Sequence, residues 1–287
     1  MARSVAILTI VWAICGPLSF QIGESFVRVL AQEFDYTDGP HGPASWGCLN
    51  TSWRTCSDGM VQSPIAIIPQ IIVTSKKFKD LEVDYPHHAV PANISNNGHS
   101  VALKIPDGSV ELSIKGEKYR STQMHFHCPS EHTFVKYKFA LEAHLVLISA
   151  AGKIAVVAWL ITLGPVSPFF DQFINNLPAY KEEYPLASPI KLLPIHAEHY
   201  GRYTGSLTTP PCTENVVWTV LLWNVRFSAQ SFTVSACFGF PNFVNRQLGA
   251  IFSILLLEDP RRLALNIHNP YNSLLAEEGA IEVLANH

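Results

Sequence analysis

The sequence predicts a mostly β protein with short helices, an α+β fold built as a single domain around one large, twisted and mainly antiparallel sheet. Three observations support this prediction. Short alternating or apolar runs fill the middle of the 287-residue chain, and turn formers such as Pro106-Asp107-Gly108 separate them. The chain also shows no internal repeat, no low-complexity tract and no long linker, which favours one domain over two.

The predicted elements follow from these runs. The predicted strands cover residues 100–105, 110–115, 123–128, 140–149, 154–163 and 216–225. Residues 34–63 are rich in Gly, Pro, Ser, Thr and Asp and show no helical period, so we expect an irregular segment that wraps across the surface. Residues 169–176 and 181–184 are interpreted as short helices.

Histidine and cysteine stand out in the composition. The chain has 12 histidines and 6 cysteines but only 15% charged residues. Its formal net charge of −3 provides no basic field, so a nucleic-acid partner is not expected. The hydrophobic share of 48% argues against disorder. Together these features point to metal or disulfide chemistry in a folded core.

The first 31 residues are interpreted as a secretory signal peptide. Arg3 supplies the positive charge, and the apolar run at 5–15 is too short to span a bilayer, which needs about 20 apolar residues. Cleavage is placed between residues 15 and 31, which leaves 32–287 as the mature domain; a buried N-terminal element is the alternative. We therefore expect a secreted protein without stable membrane insertion, with delivery to plastids through the secretory route left open. Asn50 and Asn93 fit the N-glycosylation pattern.

Two histidines on one strand carry the clearest chemical signal. Side chains alternate along a strand, so His125 and His127 share a face and can coordinate one cation. A catalytic zinc site needs a third protein ligand and keeps its fourth position open. His144 lies in the next predicted strand, and a hairpin through residues 129–137 would bring it to the same face. The pattern predicts a three-histidine metal site.

Two polar residues flank these histidines. Gln123 is two residues from His125, and Glu142 is two residues from His144, so each shares the face of its neighbour. Ligand imidazoles usually donate their second N–H to such groups, which fixes the tautomer. We interpret both as outer partners of the metal ligands; an exposed strand position is the alternative for Glu142.

Several motifs, taken in order, resemble the α-class carbonic anhydrase family. They are Tyr36 with Gly42-Pro43-x-x-Trp46, Gln62-Ser63-Pro64-Ile65, Asn97-Gly98-His99, Gln123-x-His125-x-His127, Ser130-Glu131-His132-Thr133, Glu142-x-His144, and the run Tyr203-Thr204-Gly205-Ser206-Leu207-Thr208-Thr209-Pro210-Pro211-Cys212. The resemblance covers about residues 34–226, and the spacing is closest to plant members. It implies a conical zinc site in the sheet and the reversible hydration of CO2 to bicarbonate and a proton.

The resemblance also implies a role for each site residue. The Zn²⁺ ligands would be His125, His127 and His144, the catalytic pair that orients the zinc-bound hydroxide would be Thr208 and Glu131, and the proton shuttle would be His99. Thr209 would line the bicarbonate position. The wall of the CO2 pocket would consist of Val146, Val156, Leu207 and Trp218. Zinc esterase activity would be a side reaction of the same site.

The cysteines allow more than one pairing. Removal of the signal peptide leaves five, so the count predicts at least one free thiol or an intermolecular link. The resemblance pairs Cys56 with Cys212, which would tie the N-terminal segment to the threonine loop. Cys48 remains a competitor for Cys56, and Cys128 is interpreted as a core residue that faces away from the metal.

The last part of the chain departs from the family pattern. Residues 227–257 are strongly apolar where the family usually has a polar helical stretch, so 227–287 is treated as a divergent segment. This departure supports an alternative function on the same fold, a catalytically weak binding or storage glycoprotein. The sequence makes no prediction of oligomeric state.

Overall fold

The computed structural model describes residues 34–68, 72–75, 81–164, 167–196, 200–228 and 280–283. The predicted signal peptide lies outside these residues, and so does most of the divergent segment 227–287. Within the described part of the chain, no helix combines the length and the apolar character that a membrane span requires.

The described residues contain fifteen strands. They are β1 (Ala66–Ile67), β2 (Ile72–Ser75), β3 (Leu81–Asp84), β4 (Asn93–Asn96), β5 (Val101–Lys104), β6 (Glu111–Ile114), β7 (Glu117–His127), β8 (Thr133–Phe134), β9 (Tyr137–Lys138), β10 (Leu141–Ser149), β11 (Ile154–Gly164), β12 (Glu183–Pro185), β13 (Tyr200–Ser206), β14 (Glu214–Ser228) and β15 (Ala280–Val283). The six predicted strands correspond to β5, β6, β7, β10, β11 and β14.

One large sheet dominates the described residues, as predicted. It contains twelve strands, with the path β12-β4-β5-β7-β10-β11-β14-β13-β15-β2 and with β6 pairing both β3 and β7. Most neighbours are antiparallel; β11 with β14 and β13 with β15 are the parallel pairs that make this sheet mixed. A separate small sheet has the order β1-β8-β9. The predicted mainly antiparallel architecture is confirmed.

Both faces of the central sheet are buried. On β11, Val157 and Trp159 belong to one apolar cluster, while Val156 and Leu160 belong to another. Side chains of a strand alternate between faces, so the two clusters lie on opposite sides of the sheet. This double burial explains why the predicted strand reads as a continuous apolar run rather than an alternating one.

The helical predictions need two corrections. Residues 181–184 were expected to be helical, but β12 occupies Glu183–Pro185 and pairs with β4. The backbone hydrogen bonds offered by a sheet edge override the weak local preference there. Of residues 169–176, only a single 3₁₀ turn at Phe170–Gln172 is helical. Its neighbours Phe169 and Phe173 are buried in the core, so packing rather than a helical repeat places them.

The N-terminal segment contains short helices that periodicity did not predict. They are α1 (Trp46–Leu49), α2 (Thr55–Asp58) and the 3₁₀ turns Pro43–Ser45 and Thr51–Trp53. Each is three or four residues long, about one turn, so none of them is long enough to produce a repeating apolar pattern. The segment still wraps the surface and carries Cys56 to the site.

Candidate metal centre

Neighbouring strands bring the three predicted metal ligands together. In the antiparallel pair of β7 and β10, His144 lies directly opposite His125. His125 Nε2 is 3.3 Å from His144 Nδ1. The ligand atoms of His125, His127 and His144 all lie within 4.8 Å of one another. The predicted antiparallel return is confirmed, and it brings the three predicted ligands together in an arrangement consistent with a zinc site.

The triad has the chemistry that a bound cation needs. Burial, followed by the influence of His144, lowers the pKa of His125 to about 3. Burial, with the same neighbour, also holds the pKa of His127 well below its ordinary value. Both rings are therefore neutral at neutral pH, which metal coordination requires. The Nε2 atom of His127 is buried without a hydrogen-bond partner, a cost that a metal ion would remove. The residues present fit zinc.

Glu142 orients the third ligand, His144, through a hydrogen bond to the ring nitrogen that does not face the metal site. It is fully buried, and its Oε1 lies 2.7 Å from His144 Nε2 and 2.6 Å from His132 Nδ1. Its Oε2 accepts a 2.8 Å bond from the His132 backbone N–H. Burial raises the pKa of Glu142, but His132 and His144 outweigh it and hold that pKa well below the ordinary value. The carboxylate therefore fixes the proton of His144 on Nε2 and leaves Nδ1 for a metal, as predicted.

Gln123 does not play the matching role at His125. His125 Nδ1 is buried and has no hydrogen-bond partner, so the predicted bond to the Gln123 amide is not formed. The pairing of β7 with β10 shifts register beside Gln123, between Val146 and Leu147. The register is regular from His127 to Gln123 itself, so Gln123 and His125 still share a face of β7 and only the hydrogen bond between them is missing.

A buried chain of hydrogen bonds continues beyond Glu142. His132 Nε2 lies 2.7 Å from the Tyr203 hydroxyl, which lies 2.8 Å from Ser63 Oγ. His132, Glu142 and His144 also form a second group of close ligand atoms, but hydrogen bonds within the group already satisfy them. Sequence reasoning did not connect Tyr203 and Ser63 to the site, although both stand in the family-like motifs.

Glu131 and Thr208 meet beside the ligands. Glu131 Oε1 is 3.3 Å from His127 Nδ1, and Oε2 is 4.0 Å from His144 Nδ1. Burial and the nearby Glu142 charge raise the pKa of Glu131 to about 8, and the hydrogen-bonding Thr208 side chain partly offsets this rise. The structure therefore brings the predicted orienting pair into one place.

The threonine loop, residues 207–213, is anchored to the N-terminal segment. A disulfide joins Cys56 to Cys212, as the resemblance implied. Ser63 and Ser206 exchange hydrogen bonds, with Ser63 N donating to Ser206 Oγ at 2.9 Å and Ser206 N donating to Ser63 Oγ at 3.0 Å. No described cysteine is a free thiol. Cys128 packs against the larger apolar cluster, in agreement with its interpretation as a core residue, and it is itself disulfide-bonded.

The remaining predicted residues lie around this centre or on the surface. Val146, Val156, Leu207 and Trp218 share one apolar cluster. The Trp218 ring lies 4.9 Å from the His144 ring, so this cluster borders the metal ligands. Thr209 is half-buried in the threonine loop. His99 is half-buried in the turn between β4 and β5.

The two glycosylation motifs differ in their surroundings. Asn50 is exposed and caps the 3₁₀ turn Thr51–Trp53, accepting a hydrogen bond from Ser52 N. Asn93 is half-buried in β4, and its amide donates a 3.1 Å bond to Glu183. Asn50 is therefore the more accessible acceptor.

Glu142→Gln is expected to weaken metal binding about 10- to 100-fold. This is the usual effect of losing a residue that hydrogen-bonds to a metal ligand. The amide keeps the volume but loses the negative charge, and its NH₂ cannot accept the bonds now made by His132. A competition titration with a zinc chelator measures this change. Glu82→Gln, on an exposed position of β3, is the matched control. Equal affinity in the two variants would contradict the role given to Glu142.

The comparisons with known proteins agree with this geometry. The sequence model of the eukaryotic-type carbonic anhydrase family matches residues 41–236. Alpha carbonic anhydrase 8 of Arabidopsis thaliana is 42% identical over 199 residues, which cover 66% of this chain and only half of that relative. Dioscorin DB3S of Dioscorea polystachya is 37% identical over 195 residues, covering 66% of this chain and 72% of the relative.

A solved structure extends the likeness to the fold. The α-carbonic anhydrase from Thermovibrio ammonificans, in complex with the inhibitor sulfanilamide, is 30% identical and superposes with a TM-score of 0.66. The match covers 74% of this chain and 90% of that one. The matched range includes all three histidines, Glu131 and the threonine loop. The chain therefore belongs to the eukaryotic-type, or α-class, carbonic anhydrase family, and its His125–His127–His144 triad is consistent with the zinc site of a carbonic anhydrase.

Proposed function

We propose that the chain catalyses the reversible hydration of CO2 to bicarbonate and a proton, with zinc held by His125, His127 and His144. The observation that carries this proposal is the convergence of three imidazoles, two buried and that of His125 half-buried, next to the Glu131–Thr208 pair. Zinc, when bound, supplies a Lewis acid that lowers the pKa of water to about 7, a value known from carbonic anhydrase itself. The protein supplies orientation, a dry pocket and a path for the proton.

The Glu131–Thr208 pair supports the orientation step. A cation held by the neighbouring histidines would favour the ionised form of Glu131 over the protonated form that its raised pKa otherwise favours. The Glu131 carboxylate can only accept, so it would accept a hydrogen bond from the Thr208 hydroxyl, whose oxygen is then free to accept a bond from the attacking water or hydroxide. The remaining lone pair of the nucleophile then points toward CO2. This is an effect of geometry rather than of charge, and it lowers the barrier by holding the reactants in the attack orientation.

The apolar cluster beside His144 suits a small neutral substrate. CO2 carries no net charge and needs no ion pair, and Val156 and Trp218 are almost completely buried. With Val146 and Leu207 they would form a wall that excludes bulk water from one side of the reacting carbon. Thr209, next to Thr208, would contact the bicarbonate product.

His99 completes the proposed cycle by exporting the proton. An ordinary imidazole titrates near pH 6.5, so it can accept a proton from the site and release it to buffer at neutral pH. Its position in the turn between β4 and β5, half-exposed at the surface, supports exchange with solvent. Proton export follows the chemical step, so we expect His99 to influence kcat.

Thr208→Val is expected to lower kcat/KM about 100-fold, the order of effect that misplacing a reactant has. Valine keeps the shape but can neither donate to Glu131 nor accept from the nucleophile. Stopped-flow CO2 hydration on the zinc-loaded full chain measures the loss, and bound zinc should stay unchanged. Thr213→Val, an exposed threonine of the same loop, is the control. A Thr208→Val variant as active as this control would refute the orienting role.

The second candidate function is a catalytically weak binding or storage glycoprotein on the same fold. The observation that favours it is the likeness to a relative named as a dioscorin rather than as a carbonic anhydrase. The full-length chain with one equivalent of bound zinc distinguishes the two. Measurable CO2 hydration supports the enzyme, and its absence supports the binding protein.

We further propose that the chain enters the secretory pathway, is glycosylated and is released from the cell, with plastids as the alternative destination. The Cys56–Cys212 disulfide supports this, because structural disulfides persist in oxidising compartments. The basic and apolar pattern of residues 1–31 supports it as well. Imaging of a C-terminally tagged chain in cells tests the destination.

A further inference from the structure

A buried asparagine lies at the end of β4, immediately before the turn that carries His99. Asn96 is 1% exposed, and residues 97–100 connect it to β5. Its side-chain oxygen accepts a 3.0 Å hydrogen bond from Gly98 N. Its side-chain NH₂ donates a 3.3 Å bond to the Pro178 carbonyl. Both ends of the buried amide are therefore satisfied, one by the turn and the other by a segment distant in the sequence.

The backbone of Asn96 binds the same distant segment. Asn96 N donates to Glu182 O at 2.9 Å, and Asn96 O accepts from Lys181 N at 2.8 Å. The segment is closed on itself, since Glu182 N donates to Ala179 O at 3.0 Å and Ala179 N donates to the Glu182 carboxylate at 2.9 Å. Residues 178–182 therefore form an internally bonded support for the end of β4.

The support also touches the turn directly. The Tyr180 ring lies against Gly98, and a Cβ built on that glycine would collide with it. Gly98 has φ +90°, a conformation that L side chains rarely adopt. Two further bonds close the turn, because Asn97 Oδ1 accepts from His99 N and from Ser100 N, each at 2.8 Å. The turn thus fits this conformation only with glycine at position 98.

The conformation of the turn sets the place of His99 relative to the metal ligands. β5 follows the turn and pairs with β7, where Ala102 lies opposite His125. His99 precedes Ala102 by three residues, so a change in the turn moves the imidazole relative to the triad. A proton passes only between groups within hydrogen-bond reach or joined through water. Its export therefore depends on the conformation of this turn.

We propose that Asn96 is a positioning residue for proton export, which holds residues 97–100 in the conformation that presents His99 to the site. The proposal rests on the proposed shuttle role of His99. The hydrogen bonds of Asn96 go to Gly98 and to residues 178–182 rather than to the metal ligands, so its loss should leave the chemical step intact. One hydrogen bond shifts an equilibrium about fivefold. Removing the amide should lower the ratio of held to released turn by about that factor.

The test uses the zinc-loaded full chain in dilute buffer. Asn96→Ala removes both side-chain bonds and is expected to lower kcat about two- to fivefold, with kcat/KM and bound zinc unchanged, because proton export follows the chemical step. Adding free imidazole as a buffer should restore kcat. In chain produced without glycans, Asn93→Ala is the control, since this asparagine of β4 bonds Glu183 instead of the turn. Its kcat should match that of the unaltered chain.

Three results would overturn the proposal. They are an unchanged kcat in Asn96→Ala, a fall in kcat/KM equal to that in kcat, and a loss of zinc; the last two would show a general structural role. Asn96→Ser gives a second measurement, because its hydroxyl can still accept from Gly98 N, although more weakly, while the bond to Pro178 is lost. Its kcat should lie between those of Asn96→Ala and the unaltered chain. If Asn96→Ala does not fold, the same split between kcat and kcat/KM is measured on Asn96→Ser.

A double-mutant cycle separates this proposal from the shuttle role itself. If Asn96 acts through His99, the double variant Asn96→Ala/His99→Ala has the same kcat as His99→Ala alone. A further fall in the double variant would contradict the positioning role. If His99→Ala lowers kcat and Asn96→Ala does not, only the role of Asn96 fails. If His99→Ala has no effect on kcat, the shuttle assignment fails and takes the role of Asn96 with it.

Discussion

His144→Ala is expected to abolish stoichiometric zinc binding and, with it, CO2 hydration. Losing a residue that hydrogen-bonds to a metal ligand lowers metal affinity about 10- to 100-fold, and losing the ligand itself lowers it further. The substitution also strips Glu142 of one of its two imidazole partners, which leaves a buried carboxylate less well compensated. Elemental analysis of the purified chain and stopped-flow CO2 hydration measure the two losses.

The control for this prediction is another histidine of the same chain. His87 is exposed and lies outside the metal-ligand groups of the described residues. His87→Ala should therefore keep one equivalent of zinc and full activity. Full activity in His144→Ala would contradict the assignment of the metal site. A loss of zinc in His87→Ala but not in His144→Ala would contradict it as well. Removing zinc from the unaltered chain with a chelator, and restoring activity by adding zinc back, gives an independent check.

Breaking the Cys56–Cys212 disulfide is expected to lower the free energy of unfolding by about 4–5 kcal/mol in the chain-entropy description. The reason is the length of the loop that it closes, since the two cysteines are 156 residues apart. A second consequence should be local, because Cys212 ends the run that carries Thr208 and Thr209. We expect kcat/KM to fall as the threonine loop loses its covalent anchor. Urea unfolding and CO2 hydration measure the two effects.

Three variants distinguish the bond from the side chains. If the disulfide is responsible, Cys56→Ala, Cys212→Ala and the double variant lose the same stability, because each removes the same link. A double variant that loses roughly the sum of the two single losses would instead indicate separate packing roles. The hydrogen bonds between Ser63 and Ser206 remain in all three variants. They should keep the base of the loop in place and so limit the loss of activity.

The chemistry of the site was predictable because it depends on local periodicity. His125 and His127 are two residues apart, so they must share a face of their strand. His144 joins them if the strand that carries it pairs antiparallel with the first. The structure places it directly opposite His125. The position of Glu142 on the same face as His144 was predictable from the same alternation. Gln123 also follows the rule, since it stays in register with Val146 on the run that contains His125, but His125 Nδ1 has no hydrogen-bond partner.

The contacts that support the site were beyond the sequence pattern. The hydrogen bonds from Glu142 through His132 and Tyr203 to Ser63 join residues up to about 140 positions apart. The stack of Phe34 on His99 likewise crosses from the N-terminal segment to the turn between β4 and β5. No local repeat encodes such pairings, because they form only after the sheet has brought distant strands together.

The fold class, the set of metal ligands and, through the family likeness, the reaction were predictable from the amino-acid sequence alone. Side-chain alternation and motif spacing are local properties of the sequence, so they can be recognised before the long-range contacts of the fold are known. How the site residues are held became visible only in the three-dimensional contacts. They show which ring nitrogen of His144 carries the proton, which carboxylate fixes it and which aromatic ring covers His99. Those outcomes depend on strand register and on long-range burial, since a hydrogen bond or a stacked pair forms only between groups that the whole fold places a few ångströms apart.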